Sequence, residues 1–377
     1  MRHNLTVIIP IHRHNEELVS CLESVQRAAQ HHSSIRLVGV LNGPGIHTSA
    51  LPQYKNFEWM TIPEANAGKA RNHGAKNALS DFVLFLDSDT LVTSDFFHSI
   101  LNELANTPNF ISALQLTVTP RQDPRNPYSM HEYSKRSVET RGTFNSYVVG
   151  QSTPLLDSCA LIFRRQDFLA IHGFPESIAR GEDRVLTYQA HFAGFMIARS
   201  ASGGVAKQIE NRSFIKILKV AYQENLALQA IDLKFSTKDS RRKRLFNFIH
   251  FLPPPISDPM MQLRSRITLI LERVLYLTTY AFCRLTNKHP LIKWQSSLAR
   301  AKVAHKTFRL NTQEFFFFYD TQGSLLVRSI KTTKGFRLDQ HEAADLINFF
   351  GNADERKPIN FENIKRFISS KWIIEAL

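Results

Sequence analysis

Residues 82–86 read FVLFL, and the next three are Asp87-Ser88-Asp89. Five apolar residues in succession leave no side for water, so as a strand they must be covered on both faces. Such a strand belongs inside a mostly parallel sheet sandwiched between helical layers. The preceding sequence supplies those layers. Leu5 to Pro10 (LTVIIP) predicts a first buried strand, and Glu16 to Ala29 a helix with Leu18, Leu22, Val25 and Ala29 on one stripe. Ile35 to Leu41 predicts a second strand, closed by the turn signal Asn42-Gly43-Pro44-Gly45. A third strand is expected over residues 57–62, and a small-residue helix over 67–78. Strands alternating with helices imply right-handed crossovers and a Rossmann-like α/β sheet. Ligands in such sheets sit at the carboxyl ends of the strands.

Three groups of residues have chemistry to offer there. Asp87 and Asp89 place two carboxylates at a strand's carboxyl end, hard oxygen ligands suited to Mg²⁺ or Mn²⁺. An Asp-x-Asp by itself is common by chance and reads equally as a solvated acidic loop. Asn66 to Gly74 (NAGKARNHG) puts Gly68, Lys69 and Arg71 at a helix start, where cations and backbone N–H groups suit phosphate oxygens. Taken alone, it is an ordinary basic helix start. Gly181-Glu182-Asp183 opens a further helix pattern. Those acids either complement the helix dipole or include a general base.

The formal net charge is +14, unevenly spread. Residues 236–306 hold fourteen Lys and Arg against three Asp and Glu, so eleven of the fourteen net charges fall there. The region contains the run KDSRRKR (238–244), the breaker LPPPI (252–256), and a helix pattern over 263–285. Leu263, Ile267, Ile270, Val274, Leu277 and Ala281 share one stripe of that helix. Glu272 and Arg273 interrupt it, which excludes a spanning helix. The stripe either packs on the first domain or lies in a membrane interface. A basic block attracts phosphate-rich partners, so an anionic membrane surface is a candidate partner, set against a merely soluble basic surface. No aromatic interleaving marks it for nucleic acid. From residue 308 a small α+β unit is expected, with a hairpin about Asp320-Thr321-Gln322-Gly323 and a capping box at Asp339/Glu342. Three distant cysteines, none in a CxxC pair, fit a reducing, cytoplasmic setting, peripheral on the membrane if the basic block docks there. The opening MRHNLTVIIPIH reads as a strand, its apolar run being too short for a secretory signal.

Together, VIIPIHRHNE, NAGKARNHGAKNA, FVLFLDSD and GFPESIARGEDRVLTYQAHFAGF resemble, in that order, the family-2-type inverting glycosyltransferases of GT-A fold. The resemblance spans about residues 5–235. It implies a catalytic GT-A domain over 1–235, followed by the basic helical region (236–307) and the α+β unit (308–377). It implies transfer of a sugar from a nucleotide diphosphate sugar, a UDP-sugar first, to an acceptor hydroxyl on a lipid-linked molecule or polysaccharide, as in cell-envelope synthesis. It assigns Asp87 and Asp89 to a divalent metal, Mn²⁺ or Mg²⁺, and Asp87 also to the diphosphate. Asp183 matches the catalytic base and Glu182 its neighbour. Pro10, His12, Glu16 and Asn42 fall where the nucleotide is contacted, and Lys69 and Arg71 near its diphosphate.

The chain departs from the pattern in places. Asn42 stands where an acid is usual, and Lys207-Gln208 where many relatives carry a histidine that helps hold the metal. Arg184 follows the base where an acidic or apolar residue is common. A phosphatase of the haloacid dehalogenase type would read Asp87-Ser88-Asp89-Thr90-Leu91 as its own motif, but the glycine of Asp-x-Asp-Gly-Thr is missing. A nucleotidyltransferase would need a glycine-rich loop where His12-Arg13-His14-Asn15 stands. A non-catalytic relative that only binds nucleotide sugar would have lost acids that this chain keeps.

Overall fold

The computed structural model describes residues 4–44, 51, 54, 57–107, 111–116, 118–121, 158–200, 205–208, 214–235, 259–286, 300–303, 306–311, 314–319, 325–329, 335–350 and 360–375. The charge run 238–244, the proline run 253–255 and the turn 320–323 lie outside them. The elements follow in order: β1 (Leu5–Ile11), α1 (Glu16–Ala29), β2 (Ile35–Asn42), β3 (Phe57–Ile62), α2 (Ala67–Asn77), β4 (Phe82–Leu86), β5 (Thr90–Val92), α3 (Phe96–Asn106), β6 (Ile111–Gln115), β7 (Val118–Arg121), β8 (Ala160–Arg164), α4 (Arg165–Ala170), α5 (Glu182–Phe192), β9 (Met196–Arg199), β10 (Val205–Gln208), α6 (Phe214–Phe235), α7 (Pro259–Thr286), β11 (Arg300–Val303), β12 (Lys306–Leu310), β13 (Phe315–Tyr319), β14 (Leu325–Ser329), β15 (Gly335–Leu338), α8 (Gln340–Phe350), α9 (Phe361–Ser369) and β16 (Ile373–Glu375).

The main sheet runs β15-β14-β13-β9-β6-β8-β4-β1-β2-β3. Pairing is parallel across β4-β1-β2-β3 and across β6-β9. β8 runs against both β4 and β6. This is the Rossmann-like α/β arrangement that the strand pattern implies. β1 shows why it needs helices on both sides. Leu5, Val7, Ile9 and Ile11 enter one core with α1 and α3, while Ile8 enters the other with α2, α4 and α5. Alternation along one strand thus feeds two cores. The α1 helix starts where Asn15 accepts a hydrogen bond from the Leu18 N–H, 3.0 Å. Cys21 and Cys159 are buried thiols.

The tail's hairpin shares the main sheet: β13 pairs in parallel with β9 and antiparallel with β14. Its capping box is reciprocal. The Glu342 N–H donates to Asp339 Oδ1 at 2.8 Å, and the Asp339 N–H to Glu342 Oε2 at 3.1 Å. A smaller sheet, β5-β10-β7, lies beside the end of β4. Its strands are too short to carry a period-two signal, and the sequence reading contains none of them. Among the described residues, no helix is long and apolar enough to cross a membrane.

Candidate active site

β4 ends at Leu86, and the chain turns at once. The Asp87 N–H donates to the Cys159 carbonyl, 3.1 Å, and the Thr90 N–H to the Asp87 carbonyl, 3.1 Å. Asp87, Ser88 and Asp89 therefore form a tight turn at the carboxyl end of a central strand, all half-buried. Cys21 donates its S–H to the Asp87 carbonyl, 3.6 Å. Burial, with the charge of Asp89, pushes this thiol well up, so it stays a protonated donor.

Arg71, in α2, reaches the same turn. Its Nη2 bonds Asp87 Oδ1 at 2.6 Å and its Nη1 bonds Glu182 Oε1 at 2.8 Å. The residue is 3% exposed, and Phe174 lies 5.1 Å beneath the guanidinium. Burial alone would lower its pKa, but the two carboxylates more than offset this and raise it. Arg71 thus ties the end of β4 to the start of α5. Both terminal nitrogens face protein carboxylates, which makes it a strut inside the site. Gly68 permits the same junction: a Cβ there would stand 3.2 Å from Asn66 Oδ1 and 3.3 Å from Phe174 Cβ. Lys69 pairs with Glu64 at 3.1 Å on a half-exposed surface.

Asp183 is the second residue of α5, at the positive end of the helix dipole. Its Oδ1 accepts the Arg184 N–H at 2.7 Å. Gly181 caps the helix with φ 75°, and a Cβ there would come within 2.9 Å of Ala227 in α6. Arg184, whose presence the motif does not explain, pairs with Glu224 of α6 at 3.8 Å. The helix bearing Asp183 is therefore seated on α6 by a close contact and an ion pair. Asp87 and Glu182 meet at one buried guanidinium, and Asp89 and Asp183 follow them closely along the same two segments.

The remaining candidates line the strand ends. Pro10 is buried in β1, and Glu16 is the exposed first residue of α1. His12 is exposed at the loop after β1. Lost hydration, then the charges of Arg13, Arg180 and Lys216, lower its pKa, while Asp89 pulls the other way. Asn42 ends β2, 3% exposed, and its side-chain oxygen accepts no hydrogen bond. Buried oxygens normally have a donor, and a ligand N–H or O–H could supply one here. Lys207 sits in β10 opposite Thr90 of β5, next in sequence to Asp89.

A divalent cation fits the donor chemistry. Asp87 and Asp89 offer hard oxygens, and their two carboxylates would repel a diphosphate without a cation between them. Among the described residues, no third His, Cys, Asp or Glu completes a metal cluster. The rest of the coordination shell would come from diphosphate oxygens and water.

Residues 6–170 match the family model for glycosyl transferase family 2. The matched segment resembles glycosyl transferase family 2, whose members move sugars, over fewer than half of the chain's 377 residues. A search of curated protein sequences finds no match. Among solved structures, the mannosyltransferase PcManGT from Pyrobaculum calidifontis, in complex with GDP-Man and Mn²⁺, is 14% identical with TM-score 0.46 over 77% of each chain. S. aureus TarS 1-349 in complex with UDP-GlcNAc is 14% identical with TM-score 0.43, over 82% of this chain and 96% of that one.

The family 2 match includes β1 to α4, with Asp87, Asp89 and Arg71, and stops before Asp183. The connection between them is geometric. It runs through Arg71 and through Asn72, a residue the motif contains but to which sequence reasoning gives no role. Asn72 Nδ2 donates to the Phe174 carbonyl at 2.9 Å, and Asn72 Oδ1 accepts the Phe174 N–H at 2.8 Å. Both hydrogen bonds hold the Gly-Phe turn that leads to α5 against α2. A polar residue beside the buried face of a small-residue helix was the available signal. Phe174, Arg180 and Lys216 were equally unassigned.

Proposed function

We propose that this chain transfers a sugar from a nucleoside diphosphate sugar to an acceptor hydroxyl with inversion, Asp183 acting as the base. The observation that carries the reading is the double engagement of Arg71, which joins the Asp87 turn to the start of the Asp183 helix. Acids distant in sequence are thereby held about one crevice at the strands' carboxyl ends, where α/β sheets bind ligands.

The acceptor oxygen approaches the anomeric carbon opposite the leaving group. Asp183 takes the hydroxyl proton as the new carbon–oxygen bond forms. The old bond to the β-phosphate breaks, and its electron pair leaves with the diphosphate. The Arg184 N–H keeps the Asp183 carboxylate oriented, and Arg71 holds α5 in place. A cation held by Asp87 and Asp89 would neutralise charge gathering on the leaving diphosphate. Asn42 offers its unpartnered oxygen to the nucleotide, and Pro10, His12 and Glu16 contact the nucleotide from the end of β1 and the start of α1. The Asn42 amide, in place of the usual acid, leaves the base to be identified by experiment, with UDP first.

A panel of nucleotide sugars with Mn²⁺, read by thermal shift, tests donor binding. Stabilisation by one nucleotide sugar, followed by proton NMR of the product, identifies the donor and the anomeric outcome. No shift with any donor, or retention of configuration, would overturn the reading.

A further inference from the structure

The helix α7 buries the wrong face for its stripe to be core. It lies along α6, with Thr279 buried and Leu271 and Leu275 half-buried. Met260, Leu263, Ile267, Ile270, Val274, Leu277 and Leu285 are 38 to 87% exposed. From residue 260 to 277 their spacing alternates three and four, which draws one straight apolar line along a helix of 28 residues. At 1.5 Å per residue that helix is about 42 Å long. The apolar line itself, from residue 260 to 277, is about 26 Å long, and such a line on open surface marks an interaction site.

Charge decides what covers it. Residues 236–306 carry fourteen Lys and Arg against three Asp and Glu, and α7 itself has Arg264, Arg266, Arg273 and Arg284 against Glu272. A second copy would bring one strongly basic region against another. A bilayer surface containing anionic lipid complements both features. The apolar line enters the acyl boundary while the basic residues meet lipid phosphates.

We propose that α7 docks this protein on an anionic lipid bilayer, lying in the interface plane along its exposed stripe. The docking does not depend on the sugar-transfer reading. Its consequence for the acceptor does rest on that reading. The helix α7 packs on α6, and α6 holds α5 through Arg184–Glu224 and the Gly181–Ala227 contact. Docking would therefore set Asp183 at a fixed attitude to the membrane, which suits a hydroxyl carried on a lipid-anchored acceptor.

The test is sedimentation of the full chain with vesicles, at low salt, with nucleotide binding measured on the same preparations. Vesicles of equal parts phosphatidylglycerol and phosphatidylcholine should pellet the protein, and pure phosphatidylcholine should leave it in solution. Added salt should lower the bound fraction. Ile267→Glu with Ile270→Glu should weaken vesicle binding by about tenfold or more, with unchanged melting temperature and nucleotide affinity. Val274→Glu alone serves the same purpose if the double variant loses its melting transition. Wild-type protein staying in the supernatant with anionic vesicles would overturn the proposal. So would stripe variants that pellet fully, or a dimer in light scattering that those variants convert to monomer without any vesicle binding. Wild-type protein that binds nucleotide but no anionic vesicle would sink the docking and leave the transfer reading standing.

Discussion

Arg71 Nη2 stands 2.6 Å from Asp87 Oδ1, inside a junction almost wholly withdrawn from water. Its other terminal nitrogen is taken by Glu182. Removing the guanidinium takes an ion-pair partner from each of two carboxylates. Arg71→Ala should cost about 3–5 kcal/mol of stability, as broken buried ion pairs do. Arg71→Lys keeps the charge but lacks the fork needed to bond both partners, so it should recover only part of that loss. Urea denaturation of the two variants checks this. A lysine variant as stable as wild type would show that bridging is not what Arg71 does.

Asp183 accepts its hydrogen bond from the Arg184 N–H, and an amide oxygen can accept the same bond. Asp183→Asn should therefore keep the fold and donor affinity within about twofold while kcat falls by roughly 10²–10⁴. Calorimetric titration with nucleotide and steady-state turnover separate the two effects. Near-normal kcat would remove Asp183 as the base.

Asp87 and Asp89 share the tight turn at the end of β4, and a diphosphate must approach both carboxylates. Chelator should abolish turnover, and added Mn²⁺ or Mg²⁺ should restore it. Asp89→Asn should raise the Mn²⁺ needed for half-maximal activity by about tenfold or more. Full turnover in excess EDTA would refute the assigned role of both acids.

Much of this site is readable in the sequence because it rests on local patterns. FVLFL marks a strand covered on both faces, and β4 is such a strand. Asp339 with Glu342 marks a helix start, and the pair caps as its side chains allow. What Arg71 touches is not local. Its partners lie 16 and 111 residues away. A basic helix start looks the same whether its cation meets a phosphate or a carboxylate. The stripe of α7 shows the same limit. Its period predicts a helix with an apolar side, yet periodicity does not say which side packs. Thr279 and Leu275, off the stripe, take the covered face. The pairing of β13 with β9 is likewise a long-range choice between two apolar edges.

Asn42 presents a trade between stability and binding. It is buried, and its side-chain oxygen accepts no hydrogen bond. In Asn42→Ala, removing an unsatisfied oxygen recovers about 1–3 kcal/mol, partly offset by the space left behind. The variant should melt no lower than wild type while nucleotide affinity falls by about tenfold, near 1.4 kcal/mol. Thermal melts with and without nucleotide read both. A destabilised variant with unchanged affinity would assign Asn42 to structure alone.

Gly181 couples the base helix to α6. Its φ of 75° is strained for any side chain, and a Cβ would press to 2.9 Å of the Ala227 methyl. Gly181→Ala should therefore cost about 2–4 kcal/mol through backbone strain and overpacking. Because relief requires α5 to move off α6, Asp183 moves with it, and kcat should fall more than donor affinity. Ala227→Gly opens the space without relieving the backbone. Alone it should cost about 1 kcal/mol of helix propensity. Combined with Gly181→Ala it should return part of the lost turnover, giving a coupling above about 0.5 kcal/mol in the double-mutant cycle. Strict additivity would mean that backbone strain alone, and not contact with α6, positions the start of the Asp183 helix.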